Sequence, residues 1–302
     1  MSAKIVTVLL STYNGEKYLK EQIDSIISQT GVSIRIIVRD DGSSDGTKKI
    51  LEEYRNKNLL EWYDGPNLKP AKSFLDLMKH AGKSDYYAFA DQDDFWEPEK
   101  IKNALKYFSA ADATTPQLYF SNKKIVDHNL KLLADESGKK YDLSFGASMV
   151  RNIATGCTMV FNRALLELVN SYSPKYVSMH DAWMYRLCLA TAGKVYFDED
   201  AFIKYRQHSG QSIGAEGGFI SRVLRRIKSF FRCDHSRELT AKEMLKGYKK
   251  VITPEYYSMA KQVANYRMNF SQRLSLARDK RFRTEKAEQN VVFILAALLG
   301  KI

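Results

Sequence analysis

Cysteine is scarce in this 302-residue chain: the three present, Cys157, Cys188 and Cys233, lie far apart. Without a C-x-x-C pair, neither a zinc ribbon nor a disulfide framework is indicated, and a reducing compartment fits. The two common glycine-based phosphate cradles are also missing, since there is no GxGxxG and no GxxxxGK followed by Ser or Thr. No apolar run reaches membrane-spanning length. The opening MSAKIVTVLLSTYN has polar residues where a signal peptide needs a small-residue cleavage site. Internal repeats and low-complexity tracts are absent. What remains is ordinary for a soluble globular protein, at 44% hydrophobic and 27% charged residues, with room for one large domain or a domain plus an appendage.

The net charge of +12 is unevenly placed. Residues 1–221 hold 28 Lys+Arg and 28 Asp+Glu, whereas residues 222–302 hold 19 and 7. A neutral body followed by a basic appendage that meets something anionic is the reading.

Strand-like runs alternate with helical periodicity through the first third. KIVTVLL (4–10), IRIIVRD (34–40), LLEWYD (59–64) and YYAFAD (86–91) read as strands. Between them lie helices over 15–29, from Ser44 or Asp45 to about Arg55, and over 71–81, with Gly31 as a stop and Pro98 opening the next helix. Alternation of this kind predicts an α/β fold, with a Rossmann-like, mostly parallel sheet flanked by helices. Strands are expected again at 117–122, 156–162 and 201–208, with a polar stretch at about 127–150 and a helix at 180–192. Beyond Gly217-Gly218 the pattern is helical and basic. A boundary near residue 215 divides a domain over 1–215 from a helical extension over 216–302.

In an open parallel sheet, ligands bind beyond the carboxyl ends of the strands. STYN (11–14), DDGSSDGT (40–47) and DQDD (91–94) all fall there. Three carboxylates within four residues, Asp91, Asp93 and Asp94, repel one another unless a cation or donors compensate. Mg²⁺ and Mn²⁺ bind through one or two carboxylates plus substrate phosphates, and Asp91-x-Asp93 fits that pattern. An acidic turn capping the following helix fits equally well. Asp40 and Asp41 suit the imide N–H of a pyrimidine, or a turn with an N-cap. Tyr13 offers a stacking face for a base, or half-buried packing.

LLSTYNGEKYLKEQIDSIISQT, VRDDGSSDGT and FADQDDFW resemble the opening of family-2 glycosyltransferases with the GT-A fold. ATGCTMVFNR (154–163), HDAWMYRL (180–187) and YRQHSGQSIGA (205–215) resemble the bacterial rhamnosyltransferase branch. The resemblance covers roughly residues 4–215. It implies an inverting transfer from a nucleotide sugar, with Mn²⁺ or Mg²⁺ held chiefly by Asp93 and with Asp91 and His208 close by. It places Asp40 at the pyrimidine base, Asp91 at the ribose or the metal, and Thr12, Tyr13, Asn14, Asp41, Gln92 and Arg206 around the donor, while Lys69, a departure from the family pattern, either meets the diphosphate or is solvated. It sets Gly156 and Thr158 on the acceptor side and Asp181 as catalytic base. Where related sequences carry a glycine after the asparagine, this chain has Lys69 in NLKPAKSF.

Inverting transfer needs a base for the acceptor hydroxyl and charge stabilisation for the leaving diphosphate. Asp181 suits the first role, although the first turn of a helix weakens a carboxylate's basicity and suits a cap as well. His180 beside it reads as structural. The two-residue strand period puts Arg206 and His208 on one face. Cys157 reads as a small buried filler.

In FISRVLRRIKSFFR (219–232) the apolar residues share one helical face and Arg222, Arg225, Arg226, Lys228 and Arg232 lie largely off it. That pattern suits a helix in a membrane interface, or one packed on the domain. VVFILAALL (291–299) is too short to span, and could pack inside the protein, in a homodimer interface or on lipid. By resemblance the donor is dTDP-L-rhamnose and the acceptor a lipid-linked saccharide for a surface polysaccharide. The protein is then expected in the cytoplasm, peripheral on the inner face of the membrane. A UDP-hexose donor is the nearest alternative. A nucleic-acid partner is not expected, because the basic segment lacks a recognisable binding signature. A non-catalytic membrane scaffold is disfavoured by the intact Asp91, Asp93 and Asp181 set.

Overall fold

The computed structural model describes residues 4–108, 113–207 and 235–302. Strand β1 (Ile5–Thr12) is an almost continuous buried apolar run, and leads to α1 (Leu19–Ile27). Then come β2 (Ser33–Asp40), α2 (Thr47–Asn56), β3 (Glu61–Asp64), α3 (Lys69–His80), β4 (Tyr86–Ala90), the short β5 (Phe95–Trp96) and α4 (Lys100–Tyr107). The N-cap of α2 is Gly46 rather than the expected Ser44 or Asp45; Asp45 instead shapes the turn before it, its Oδ1 accepting from the Thr47 N–H at 3.0 Å and the Thr47 hydroxyl at 2.6 Å. Gly31 sits at φ +74°, beyond the end of α1.

The later chain runs β6 (Gln117–Val126), β7 (Leu132–Asp135), α5 (Phe145–Val150), β8 (Val160–Asn162), α6 (Arg163–Asn170), α7 (His180–Ala190) and β9 (Lys194–Arg206). Helices α8 (Ser236–Tyr248), α9 (Pro254–Asn265), α10 (Phe270–Arg278) and α11 (Ala287–Leu298) follow. The sheet order is β3-β2-β1-β4-β8-β6-β9-β5, with β7 paired to β6. Pairing is parallel from β3 through β4 and again between β6 and β9. It is antiparallel where β8 joins β4 and β6, and where β5 joins β9. Strand 156–162 begins later than expected, because a 3₁₀ turn occupies Gly156–Thr158. The polar stretch at 127–150 conceals α5, every residue of which is buried.

Apolar side chains form a core on each face of the sheet. One unites Val8, Ile23, Val38, Ala88 and Trp96 with α1, α2 and α4. The other joins Phe74, Phe89, Phe161 and Trp183 to Tyr248, Met259, Phe282 and Phe293 of the last four helices and their connections. Those helices therefore share a core with the sheet. Hydrogen bonds lace the junction: the Arg237 guanidinium donates to the carbonyls of Met149 (2.7 Å) and Val150 (2.9 Å), and the Tyr248 hydroxyl to that of Val169 (3.0 Å). A side chain on Gly146 would meet the Arg281 carbonyl oxygen at 1.8 Å, so only glycine permits this approach. The boundary near residue 215 and the helix expected at 219–232 lie outside the described residues. In α11, Phe293, Ala296 and Ala297 face inward while Val291, Val292, Leu295 and Leu299 are exposed. No helix among the described residues is long and apolar enough to cross a membrane.

Candidate active site

The carboxyl ends of β1, β2 and β4 converge on a cleft of about 370 Å³. Of the residues singled out in the sequence, Tyr13, Asp41, Lys69, Asp91, Gln92, Asp93, Gly156, Asp181 and Arg206 border it. Ser11, Phe74, Thr155, Met179, His180 and Tyr205 complete much of the wall. A larger void of about 610 Å³ lies between α9 and α10, lined by residues such as Lys261, Gln262 and Arg278, and has none of this carboxylate clustering.

Asp40 and Asp41 take different parts. Asp40 is wholly buried: its carboxylate accepts from the Ser43 N–H (2.7 Å), the Ser43 hydroxyl (2.6 Å) and the Thr12 hydroxyl (2.8 Å). Asp40 and Thr12 thus shape the loop from behind, and Asp41 is the one that borders the cleft. Its Oδ2 accepts from the backbone N–H groups of Leu68 and Lys69, both at 3.0 Å, and it pairs with the Arg39 guanidinium. This grip helps hold Lys69 at φ +66°, a left-handed conformation that costs a lysine about 1–3 kcal/mol and a glycine almost nothing. Asn14, at φ +49°, braces the same loop, with its N–H on the Ser43 hydroxyl and its Oδ1 accepting from the Ser44 N–H. Tyr13 is 49% exposed, so its ring is available at the rim. Gln92 locks to the backbone of Tyr13 in both directions, accepting from its N–H at 2.8 Å and donating to its carbonyl at 3.1 Å.

The three carboxylates of DQDD separate. Asp91 and Asp93 border the cleft, whereas Asp94 is wholly buried and accepts from the Arg206 N–H at 3.1 Å. Ligand atoms of Asp91, Asp94 and Cys157 all lie within 4.8 Å of one another. Burial, then repulsion from Asp93 and Asp181, pushes the Asp91 carboxyl up to about 7. Asp94 is driven well above the carboxylate range by burial and by repulsion from Asp91 and Asp93. The Cys157 thiol is also pushed well up, chiefly by burial, which leaves oxygen as the donor set. Carboxylates concentrated in this way fit a hard divalent cation. Arg206 departs from the expected free donor contact. Its guanidinium donates to the Asp93 carbonyl (2.8 Å), the His128 carbonyl and Glu21, and lies over the Tyr18 ring at 4.2 Å. It clamps the acidic turn from beneath. His208 lies outside the described residues.

Across the cleft, Asp181 stands in the first turn of α7 and is 8% exposed. Its oxygens accept from the Gly156 N–H at 3.2 Å and the Asn152 amide at 3.3 Å, besides its neighbour Ala182. The late start of β8 is what brings the Gly156 N–H round to this carboxylate. Burial raises the Asp181 pKa, and it outweighs the backbone donors and the cationic side chains of Arg186 and Lys123. The expected loss of basicity at a helix start is therefore more than offset. Thr158 is buried, with its hydroxyl on the Thr155 carbonyl (2.8 Å), so it supports the turn while Thr155 and Gly156 face the cleft. Asn152 escaped the sequence reading because it lies 29 residues from its partner in a stretch without periodicity.

Residues 7–169 match the family model described as Glycosyl transferase family 2. The dTDP-rhamnosyl transferase RfbG of Shigella flexneri is 30% identical over 238 residues, covering 72% of this chain and 77% of that protein. An uncharacterized glycosyltransferase of Rickettsia typhi is 27% identical over 217 residues, covering 69% of this chain and 65% of that one. Among solved structures, S. aureus TarS in complex with UDP-GlcNAc superposes with a TM-score of 0.59 at 21% identity, covering 97% of this chain and 81% of that one. The mannosyltransferase PcManGT of Pyrobaculum calidifontis, in complex with GDP-Man and Mn²⁺, gives 0.54 at 16% identity, covering 99% and 75%. The fold is that of the GT-A glycosyltransferases.

Proposed function

The chain belongs to glycosyl transferase family 2, and from that premise we propose that it transfers L-rhamnose, with inversion, from dTDP-L-rhamnose to a lipid-linked saccharide at the inner face of the cell membrane. One observation carries the chemistry: a buried Asp181 with raised pKa faces Asp91 and Asp93 across one cleft. The named rhamnosyl relative supports the choice of sugar.

In this reading Asp181 accepts the proton of the acceptor hydroxyl as that oxygen attacks the anomeric carbon. The Gly156 N–H and the Asn152 amide hold the carboxylate towards the cleft. Asp93 and Asp91 hold Mn²⁺ or Mg²⁺, with His208 beside them. When bound, that ion offsets the charge developing on the leaving diphosphate. Arg206 fixes the Asp93 backbone from below, Gln92 ties the turn to Tyr13, and the Tyr13 ring stacks on the pyrimidine. Thr155, Gly156 and Met179 face the acceptor.

A release assay with Mn²⁺ or Mg²⁺ across nucleotide sugars tests the donor: dTDP-L-rhamnose is expected to turn over fastest, and a faster UDP-hexose overturns the rhamnosyl assignment. Asp181→Asn is expected to lower transfer by about 10²–10⁴ with donor affinity nearly intact. Transfer near the wild-type rate refutes its role as base. The membrane part is tested by flotation: binding to anionic vesicles should weaken with salt, and no binding at low salt overturns it.

A further inference from the structure

The sequence reading treats His180 as structural, and its packing is indeed that of a core residue. It is 3% exposed, its ring stacks on Phe74 with centroids 4.0 Å apart, and it meets Phe89 edge-on at 4.9 Å. Yet neither Nδ1 nor Nε2 has a hydrogen-bond partner among the described residues. An apolar side chain would fill the same space without the cost of about 1–3 kcal/mol for a buried unpaired polar group. The residue also borders the cleft.

We propose that His180 determines sugar specificity, one ring nitrogen hydrogen-bonding a hydroxyl of the sugar being transferred. This rests on the reading of the cleft as a glycosyl-transfer site. The transferred ring must lie between the base and the leaving group, hence between Asp181 and the Asp91–Asp93 pair. His180 adjoins Asp181 in the wall of that space. Nε2 is buried against Gly156, where an added Cβ would come within 2.6 Å of it, so only a glycine leaves room beside this nitrogen.

The chemistry selects the ligand group. Burial pushes the imidazole down to about 3, so the ring is neutral, with one donor and one acceptor. A hydroxyl also offers both, whereas a phosphate is better met by a cation. The two aromatic neighbours fix the direction of the nitrogens, and directional hydrogen bonds reject an analogue lacking its hydroxyl more sharply than apolar contact does.

The test compares wild type, His180→Phe and His180→Gln with dTDP-L-rhamnose and with analogues lacking one ring hydroxyl each. His180→Phe keeps the aromatic packing and deletes both nitrogens; it should retain the wild-type melting temperature while kcat/KM falls about tenfold. One analogue should lose about tenfold in the wild type and little more in His180→Phe, which marks the contacted hydroxyl by a double-mutant cycle. His180→Gln, which has a donor and an acceptor, should recover part of that discrimination if it folds. Equal penalties for every analogue in wild type and His180→Phe overturn the inference and leave His180 as packing. If the wild type turns over no nucleotide sugar, the glycosyl-transfer reading itself fails.

Discussion

Replacing Arg206 by methionine separates two roles that one arginine could have. Its side chain is 1% exposed, and its donors reach three segments: the Asp93 carbonyl, the His128 carbonyl and Glu21 of α1. Methionine fills most of the volume and removes every donor. Each carbonyl left unpaired costs about 1–3 kcal/mol. The loss of the ion pair would add about 3–5 kcal/mol if both partners were buried. Glu21, however, is 44% exposed, and water can solvate it once the arginine is gone. We therefore expect a loss of about 3 kcal/mol, which at an unfolding entropy of about 2.1 cal/mol/K per residue lowers the melting temperature of a chain of this size by about 5 °C. Because the Asp93 backbone loses its anchor, Mn²⁺-dependent nucleotide affinity measured by calorimetry should fall about tenfold or more. Arg206→Lys restores the charge without the fork and should lie between. A Met variant with unchanged melting and unchanged affinity refutes the clamp. Unchanged melting with collapsed affinity refutes it differently, and returns the guanidinium to the donor itself.

Three further outcomes follow from geometry described above. The folded pKa of Asp91 lies near 7, above its unfolded value, so the metal-free protein should lose stability as pH rises from about 4 to about 7. In that window Mn²⁺ must displace a proton, and the binding enthalpy at about pH 6 should vary with the ionisation enthalpy of the buffer; buffer-independent enthalpy counts against Asp91 as a ligand. Lys69→Gly relieves the strain at φ +66° and should melt no lower than wild type, while dTDP affinity falls about tenfold because the ammonium is lost; unchanged affinity shows Lys69 to be solvated. Gly146→Ala drives a methyl into the Arg281 carbonyl and should cost about 1–3 kcal/mol, with amide exchange rising first in 270–302; a neutral result means that the last helices are not docked as described.

The first half of the sheet was legible because β1, β2 and β4 carry buried apolar runs that end in polar clusters. The excess of acid in DQDD was legible as a site, since nothing local compensates three carboxylates. How the three divide was not: only the third dimension shows Asp94 turned inward under the Arg206 N–H, 112 residues away. Arg206 is a similar case, because its partner Glu21 is 185 residues distant and strand alternation says nothing of what lies beneath. Alternation also hid the extent of β9, whose start, KVYFDED, is polar although Asp198 is buried on the Tyr119 hydroxyl at 2.9 Å. For Asp181 the sequence suggests the helix start but not the depth of the wall around it, and depth decides the sign of its shift. The basic tail advertises its charge, yet the aromatic and aliphatic residues that join it to the sheet have no spacing that announces their partners.

The lock between Gln92 and the Tyr13 backbone works as a side-chain imitation of a sheet rung, continuing the contact of β1 with β4 beyond their last residue pair, Leu10 and Ala90. An amide is the one side-chain group that can both accept and donate in the manner of a peptide unit: glutamate lacks the donor, and asparagine is shorter by one methylene. The lock also presses on Gly15, where a Cβ would fall 2.3 Å from the Gln92 Oε1. The two positions form a single inheritance unit. In a saturation library, position 92 should tolerate almost nothing although its amide is spent on the protein's own backbone, and substitutions at position 15 should become tolerable only in chains that have already given up the glutamine.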